Sequence, residues 1–133
     1  MATVKHLDHV NIQTLDVAAT ARFFTDVLDL DARPMAPGVA LDDVTWMFDA
    51  ADRPIVHLNR PGVTFAEDAA RPLRPDTGAL NHVAFECAGY DSMRARLDTL
   101  GTAYRTREVA AIGLKQLFVD DPNGVRLELN FRD

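Results

Sequence analysis

Leu7-Asp8-His9-Val10 near the start of the chain returns 73 residues later as Leu80-Asn81-His82-Val83. Val56-His57-Leu58-Asn59 likewise returns 71 residues later as Leu127-Glu128-Leu129-Asn130. Self-similarity at a near-constant offset marks one structural plan used twice. Each copy opens with a short run that alternates in polarity, the period of a half-buried strand, and an amphipathic stretch follows. After Leu7 to Gln13, Asp16 is placed to accept from the free N–H groups of a first helical turn, and Thr20, Phe23, Phe24, Val27 and Leu28 share one helical face. After Leu80 to Cys87, Asp91 is predicted to do the same for a helix carrying Tyr90, Met93, Leu97 and Leu100, with Gly101 as its stop.

Strand-like runs complete each half. In the first they are Leu30 to Met35, interrupted by Pro34, then Val44 to Asp49 and Ile55 to Asn59. In the second they are Ala103 to Arg107, Leu114 to Asp120 and Val125 to Phe131, the last two joined by the turn signal Asp120-Asp121-Pro122-Asn123-Gly124. The plan is βαβββ, twice. Residues 60–78, with Pro61, Pro72 and Pro75, read as a linker between modules 1–59 and 79–133, long enough to serve as a lid. Arg71 and Arg74 bracket Pro72 there and could close over a carboxylate.

The bulk numbers fit one domain spanning 1–133: 47% hydrophobic and 26% charged residues, with seven Gly and seven Pro, exclude a disordered or collagen-like chain. A net charge of −6 argues against nucleic acid and anionic membrane partners. No run reaches the ~20 apolar residues of a membrane span, and Met1 to Leu7 has no apolar run behind its Lys, so the expected location is cytoplasmic. Cys87 is the only cysteine, which excludes an intrachain disulfide and a thiolate metal cluster.

Alternate strand residues face opposite ways, so parity decides which side chains can meet. Val10 and Ile12 are expected to face the first helix, leaving His9, Asn11 and Gln13 on the other side. Val83, Phe85 and Cys87 repeat the apolar set, and His82 repeats His9. Val56 and Leu58 face inward while His57 and Asn59 face away; Leu127 and Leu129 face inward while Arg126, Glu128 and Asn130 face away. A lone strand histidine is usually a hydrogen-bonded core or rim residue; here the shared parity and matched offsets set four positions apart. If the two units pair into one curved sheet, His9, His57, His82 and Glu128 converge. Three imidazoles and one carboxylate suit a divalent Zn, Fe, Mn, Ni or Co ion with one or two open positions for substrate oxygen.

These stretches, together with Phe118-Val119-Asp120-Asp121-Pro122-Asn123-Gly124-Val125-Arg126-Leu127-Glu128-Leu129, resemble the vicinal oxygen chelate superfamily, which includes glyoxalase I, epimerases, fosfomycin and bleomycin resistance proteins and extradiol dioxygenases. The resemblance covers nearly the whole chain. It implies an α+β fold in which two βαβββ modules form an open, cup-shaped mixed β-sheet with helices outside. It also implies a metal held by His9, His57, His82 and Glu128, a small-molecule substrate and a homodimer. Glyoxalase I commonly has Glu where this chain has His57, which leaves Glu128 as the one carboxylate of the set and the candidate general base. Metal-stabilised proton transfer on a small oxygenated metabolite, by a lyase, isomerase or epimerase, is the first expectation. An iron-dependent extradiol-type dioxygenase using His9, His82 and Glu128, and a non-catalytic ligand-binding or antibiotic-resistance protein, are the alternatives. Asn11, Trp46, Asn59, Phe118, Arg126 and Asn130 are the candidate substrate-binding residues, and Lys115, Tyr104 and Arg107 could attract an anionic tail.

Overall fold

Residues 1–71, 73 and 76–133 are described by a computed structural model, in which each copy of the repeated pattern folds as a βαβββ unit. The units are Met1–Leu73 and Arg74–Asp133. The first runs β1 (Val10–Gln13), α1 (Val17–Leu28), β2 (Asp31–Pro34), β3 (Val44–Phe48) and β4 (Pro54–Asn59). The second runs β5 (Val83–Cys87), α2 (Tyr90–Leu100), β6 (Arg105–Val109), β7 (Leu114–Asp120) and β8 (Arg126–Phe131). Each sheet is mixed and four-stranded, in the orders β1-β4-β3-β2 and β5-β8-β7-β6. The first and last strands of each unit pair in parallel, and the other pairs are antiparallel. The chain is therefore an α+β protein of two βαβββ modules.

Burial follows the alternation read from sequence. Ile12, Met47, Val56 and Leu58 are buried on the face of the first sheet that meets Val17, Phe24 and Val27 of α1. Leu117, Val119, Leu127, Leu129 and Phe131 are the matching buried set of the second, with the Tyr90 ring of α2 edge-on to Phe131 at 5.4 Å. Full burial of each such side chain contributes roughly 1.5–3 kcal/mol.

The helix ends show what local chemistry decides. Asp16 caps α1 as predicted, its Oδ1 accepting from the Ala19 amide at 2.9 Å. Asp91 does not cap α2: it lies inside the first turn, and the cap is Gly89 (φ +81°), which has no side chain to accept a bond. Gly101 (φ +67°) ends α2 as predicted, whereas α1 ends on Asp29 in the same left-handed region (φ +58°).

The strands begin later than their sequence pattern, so His9 and His82 each stand immediately before a strand rather than inside it. The stretch predicted as a plain linker carries a 3-10 turn at Ala66–Ala70. Asp68 Oδ2 there accepts from Gln13 Nε2 of β1 at 2.6 Å, and Oδ1 lies 3.4 Å from Arg71. Gly62 (φ +84°) lies so close to this turn that an added Cβ would fall 2.6 Å from that of Ala69. Pro72, Arg74 and Pro75, on which the lid expectation largely rests, lie outside the described residues.

Because only α1 has a side-chain cap, Asp16→Ala should lower unfolding free energy by about 1 kcal/mol. Asp91→Ala, losing only its interaction with the helix dipole, should cost a few tenths. Urea denaturation of both variants separates these outcomes.

Candidate functional site

Each unit brings two of the four predicted ligands together, and it does so through the same register. In the first unit Asn11 of β1 is the partner of His57 on β4; in the second Ala84 of β5 is the partner of Glu128 on β8. His9 and His82 each stand two residues before that partner, on the same face. The result is a His9–His57 pair in one unit and a His82–Glu128 pair in the other.

In the first unit the pair is a stack. The His9 and His57 rings are 3.6 Å apart and within 11° of parallel, and Trp46 of β3, across the ladder from His57, stacks on its other face at 4.1 Å. Each imidazole has one nitrogen engaged: His9 Nδ1 with the Asp8 carboxylate at 2.6 Å, and His57 Nε2 with the Pro54 carbonyl at 3.1 Å. A neutral imidazole that donates its single N–H in this way keeps a lone pair on the other nitrogen, the state a metal ligand requires. Burial, reinforced by the neighbouring His9, holds His57 below the ordinary histidine range and so favours that neutral form. The bond from His9 in turn holds the Asp8 carboxyl below the usual carboxylate range.

In the second unit Asn81 takes the place of Asp8. Its Oδ1 accepts from His82 Nδ1 at 2.8 Å and lies 3.4 Å from Arg126 Nη1. His82 Nε2 then faces Glu128 Oε2 at 2.8 Å. With the His82 proton on Nδ1, two lone-pair atoms confront each other at that distance, an arrangement that a shared proton or cation stabilises. Donor atoms of one coordination sphere stand this far apart when bonds of about 2.1 Å meet near a right angle. Two donors of this kind suit a divalent metal, and the same spacing is that of a hydrogen bond from a protonated His82 Nε2 to Glu128 Oε2. Among the described residues, neither unit adds a third His, Cys, Asp or Glu to its pair in a group that could hold an ion.

No motif or matched offset in the sequence singles out Gln116 of β7. It is 5% exposed, and its Nε2 donates to Glu128 Oε1 and to Asn130 Oδ1, the latter at 3.0 Å. Among the described residues its Oε1, which is buried, has no hydrogen-bond partner, and neither has the buried Oδ1 of Asn59. Turning the amide over would satisfy neither neighbour, because it would set Oε1 against the Glu128 carboxylate. An unsatisfied buried acceptor costs about 1–3 kcal/mol, and here it accompanies an amide that holds a carboxylate oxygen in place.

The remaining candidates are distributed over both units. Asn11 is exposed beside His57 in register, whereas Asn59 is 1% exposed and donates to the Arg60 carbonyl. Phe118 lies across the ladder from Glu128, and Asn130 is held by Gln116. The anionic-tail group divides. Lys115 Nζ is 5.2 Å from the Tyr90 ring, on the α2 side of its sheet, and the Tyr104 hydroxyl donates to Asp98 at 2.9 Å. Arg107 lies on the Glu128 face, where Arg105 joins it. Cys87 is half-buried, and burial pushes its thiol up to about 11, which excludes a reactive thiolate at neutral pH.

The profile of the Glyoxalase/Bleomycin resistance protein/Dioxygenase superfamily matches residues 6–129, and the chain belongs to that superfamily. The uncharacterized protein YaeR of Escherichia coli K12 is 28% identical over 132 residues, covering 97% of this chain and 98% of its own. Among solved structures, lactoylglutathione lyase from Agrobacterium tumefaciens superposes with a TM-score of 0.67 at 18% identity, over 98% of this chain and 96% of that one. The fosfomycin resistance protein FosX from Listeria monocytogenes does so with a TM-score of 0.68 at 15% identity, over 97% and 94%. These two likenesses concern the fold. No helix among the described residues is long and apolar enough to cross a membrane.

Two outcomes test the geometry. With its folded value below 6.5, His57 stays neutral where the same residue in the unfolded chain already binds a proton. Its contribution to stability is therefore full above the unfolded value and falls as pH drops through it. Melting curves of metal-free protein between about pH 5 and 8 should accordingly be flatter for His57→Gln than for wild type. Gln116→Met removes both the bond to Glu128 and the unsatisfied acceptor, so stability should stay within about 1 kcal/mol of wild type. Zinc affinity measured by chelator competition should nevertheless fall roughly 10–100-fold.

Proposed function

We propose that this chain is a divalent-metal-dependent enzyme of the vicinal oxygen chelate type, acting on a small oxygenated metabolite by proton transfer as a lyase, isomerase or epimerase. The observation that carries the reading is the His82–Glu128 pair, two donor atoms 2.8 Å apart with the other Glu128 oxygen held by Gln116. The proposed ligands are His9, His57, His82 and Glu128, and Zn, Fe, Mn, Ni or Co would serve. A homodimer and a cytoplasmic setting belong to the same proposal.

When bound, the ion supplies Lewis-acid stabilisation of the negative charge that develops on a substrate oxygen. The chain's own residues supply orientation and proton movement. Asp8 and Asn81 hold the Nδ1 atoms of His9 and His82, which directs each Nε2 to the ligand side. Glu128 is the base: its carboxylate is 12% exposed, so it is partly desolvated yet reachable by a substrate carbon acid. With Oε1 tied to Gln116, Oε2, once loosened from the ion, is the atom that takes the proton from the carbon beside a carbonyl and returns it to the same or the adjacent carbon. Return to the same carbon on the opposite face epimerises the substrate; return to its neighbour, with the hydroxyl proton passing to the former carbonyl oxygen, isomerises it. Trp46 and Phe118 supply apolar surface beside these polar groups.

Elemental analysis of protein purified without chelator should find a divalent metal in wild type and much less in His9→Ala and His82→Ala. Glu128→Gln should slow solvent-deuterium exchange into hydroxyketone or hydroxyacid substrates by roughly 10²–10⁴-fold. Wild type that stays metal-free after reconstitution with all five metals refutes the reading. Oxygen consumption with a catechol would replace it with ring cleavage, and tight binding of a drug without turnover would replace it with sequestration.

A further inference from the structure

The face of the second sheet that carries Glu128 continues across two more strands, and the register sets the residues in rows. Glu128 of β8 is the partner of Phe118 on β7, which is the partner of Arg105 on β6. Asn130, Gln116 and Arg107 form the adjacent row. The Arg105 guanidinium lies over the Phe118 ring, 5.7 Å from its centre, so it shares that face, and Arg107, two residues on, faces the same way. Both arginines are exposed on the edge strand. Arg33, Arg53, Arg60, Arg71 and Arg132 each have a carboxylate partner, but among the described residues neither Arg105 nor Arg107 is in an ion pair. Among the described residues Arg22, Arg94 and Arg126 are also in no ion pair, but Arg105 and Arg107 stand side by side in the rows that lead to Glu128 and Asn130.

We propose that Arg105 and Arg107 form the subsite for a terminal oxyanion of the substrate, a carboxylate or a phosphate. The substrate's apolar middle lies on Phe118, and its reacting oxygens point toward His82 and Glu128. This rests on the reading of His82 and Glu128 as the reacting end. Two inter-strand steps of about 4.8 Å separate the Glu128 and Arg105 backbones, so the substrate is a short-chain acid or phosphate ester rather than a diol or a two-carbon acid. The guanidinium fork matches either oxyanion, and the cation over an aromatic floor favours a ligand that is charged at one end and apolar beside it. The overall negative charge of the chain repels other anions, so selectivity has to be local.

Matched pairs of probes test this, titrated calorimetrically into zinc-reconstituted full-length protein at about 0.15 M ionic strength, where long-range charge is screened. One pair is α-hydroxyadipate against α-hydroxyhexanoate; the other is dihydroxyacetone phosphate against dihydroxyacetone. The member of at least one pair that carries the terminal oxyanion should bind about tenfold more tightly, and the pair with the larger gap identifies the oxyanion. In Arg105→Gln/Arg107→Gln that advantage should disappear while zinc content is unchanged; Arg22→Gln, on α1, should keep it. Equal binding within both pairs, no binding by any probe, or an advantage that survives the double variant overturns the subsite. Repeating the titration on chelator-treated protein separates the two readings. An anion preference without zinc binding retires the metal and keeps the subsite, whereas zinc binding without preference retires the subsite alone.

Discussion

The parallel pairing of the first and last strands within each βαβββ unit is the constraint on which the rest depends. A parallel ladder needs a crossover, and here the crossover carries the helix that covers one face of the sheet. That leaves the opposite face for polar groups, and a shared register sets each strand-entry histidine diagonally beside the chemistry of the last strand. A slip of one residue in either ladder would turn His57 or Glu128 toward the helix and Leu58 or Leu129 away from it. Because those leucines are fully buried, hydrophobic packing protects the register and, through it, the polar pairs.

The two pairs share geometry but differ in physics. In the first unit a buried imidazole lies between two flat rings, where burial suppresses its charge. In the second the position of His57 is taken by a carboxylate, and the surroundings change to suit it. Phe118 stands where Trp46 stood, and a buried glutamine donates to the acid. Both units orient the strand-entry histidine with the same device, an Asp or Asn immediately before it whose side-chain oxygen accepts from Nδ1. Orientation by such neighbours decides which nitrogen of an imidazole is available and how strongly it donates.

Much of the fold was legible because it follows from local period and local caps. The alternation of Val10, Ile12, Val56 and Leu58 named the buried face, Asp16 named the start of α1, and Gly101 named the end of α2. Where local signals misled, competing chemistry won. Asp91 has the right side chain for a cap, but Gly89 takes that place through backbone conformation alone. Asp29 adopts a glycine-like conformation that no residue type announces. The pairing of Gln13 with Asp68 spans 55 residues, and nothing local foretells that part of the linker folds back onto β1.

For the site, the sequence by itself determined which residue types stand on which strand face, since that follows from an alternation of two and a repeat of one motif. The choice of His9, His57, His82 and Glu128 as a set came from there. Only the tertiary structure decided which of them touch, because contact depends on register between strands far apart in the chain. It also decided that Gln116 holds Glu128 and that Arg105 lies on the same face while Lys115 does not. Those assignments arise across neighbouring strands, where hydrogen bonds and ring contacts join residues that share no pattern in one dimension.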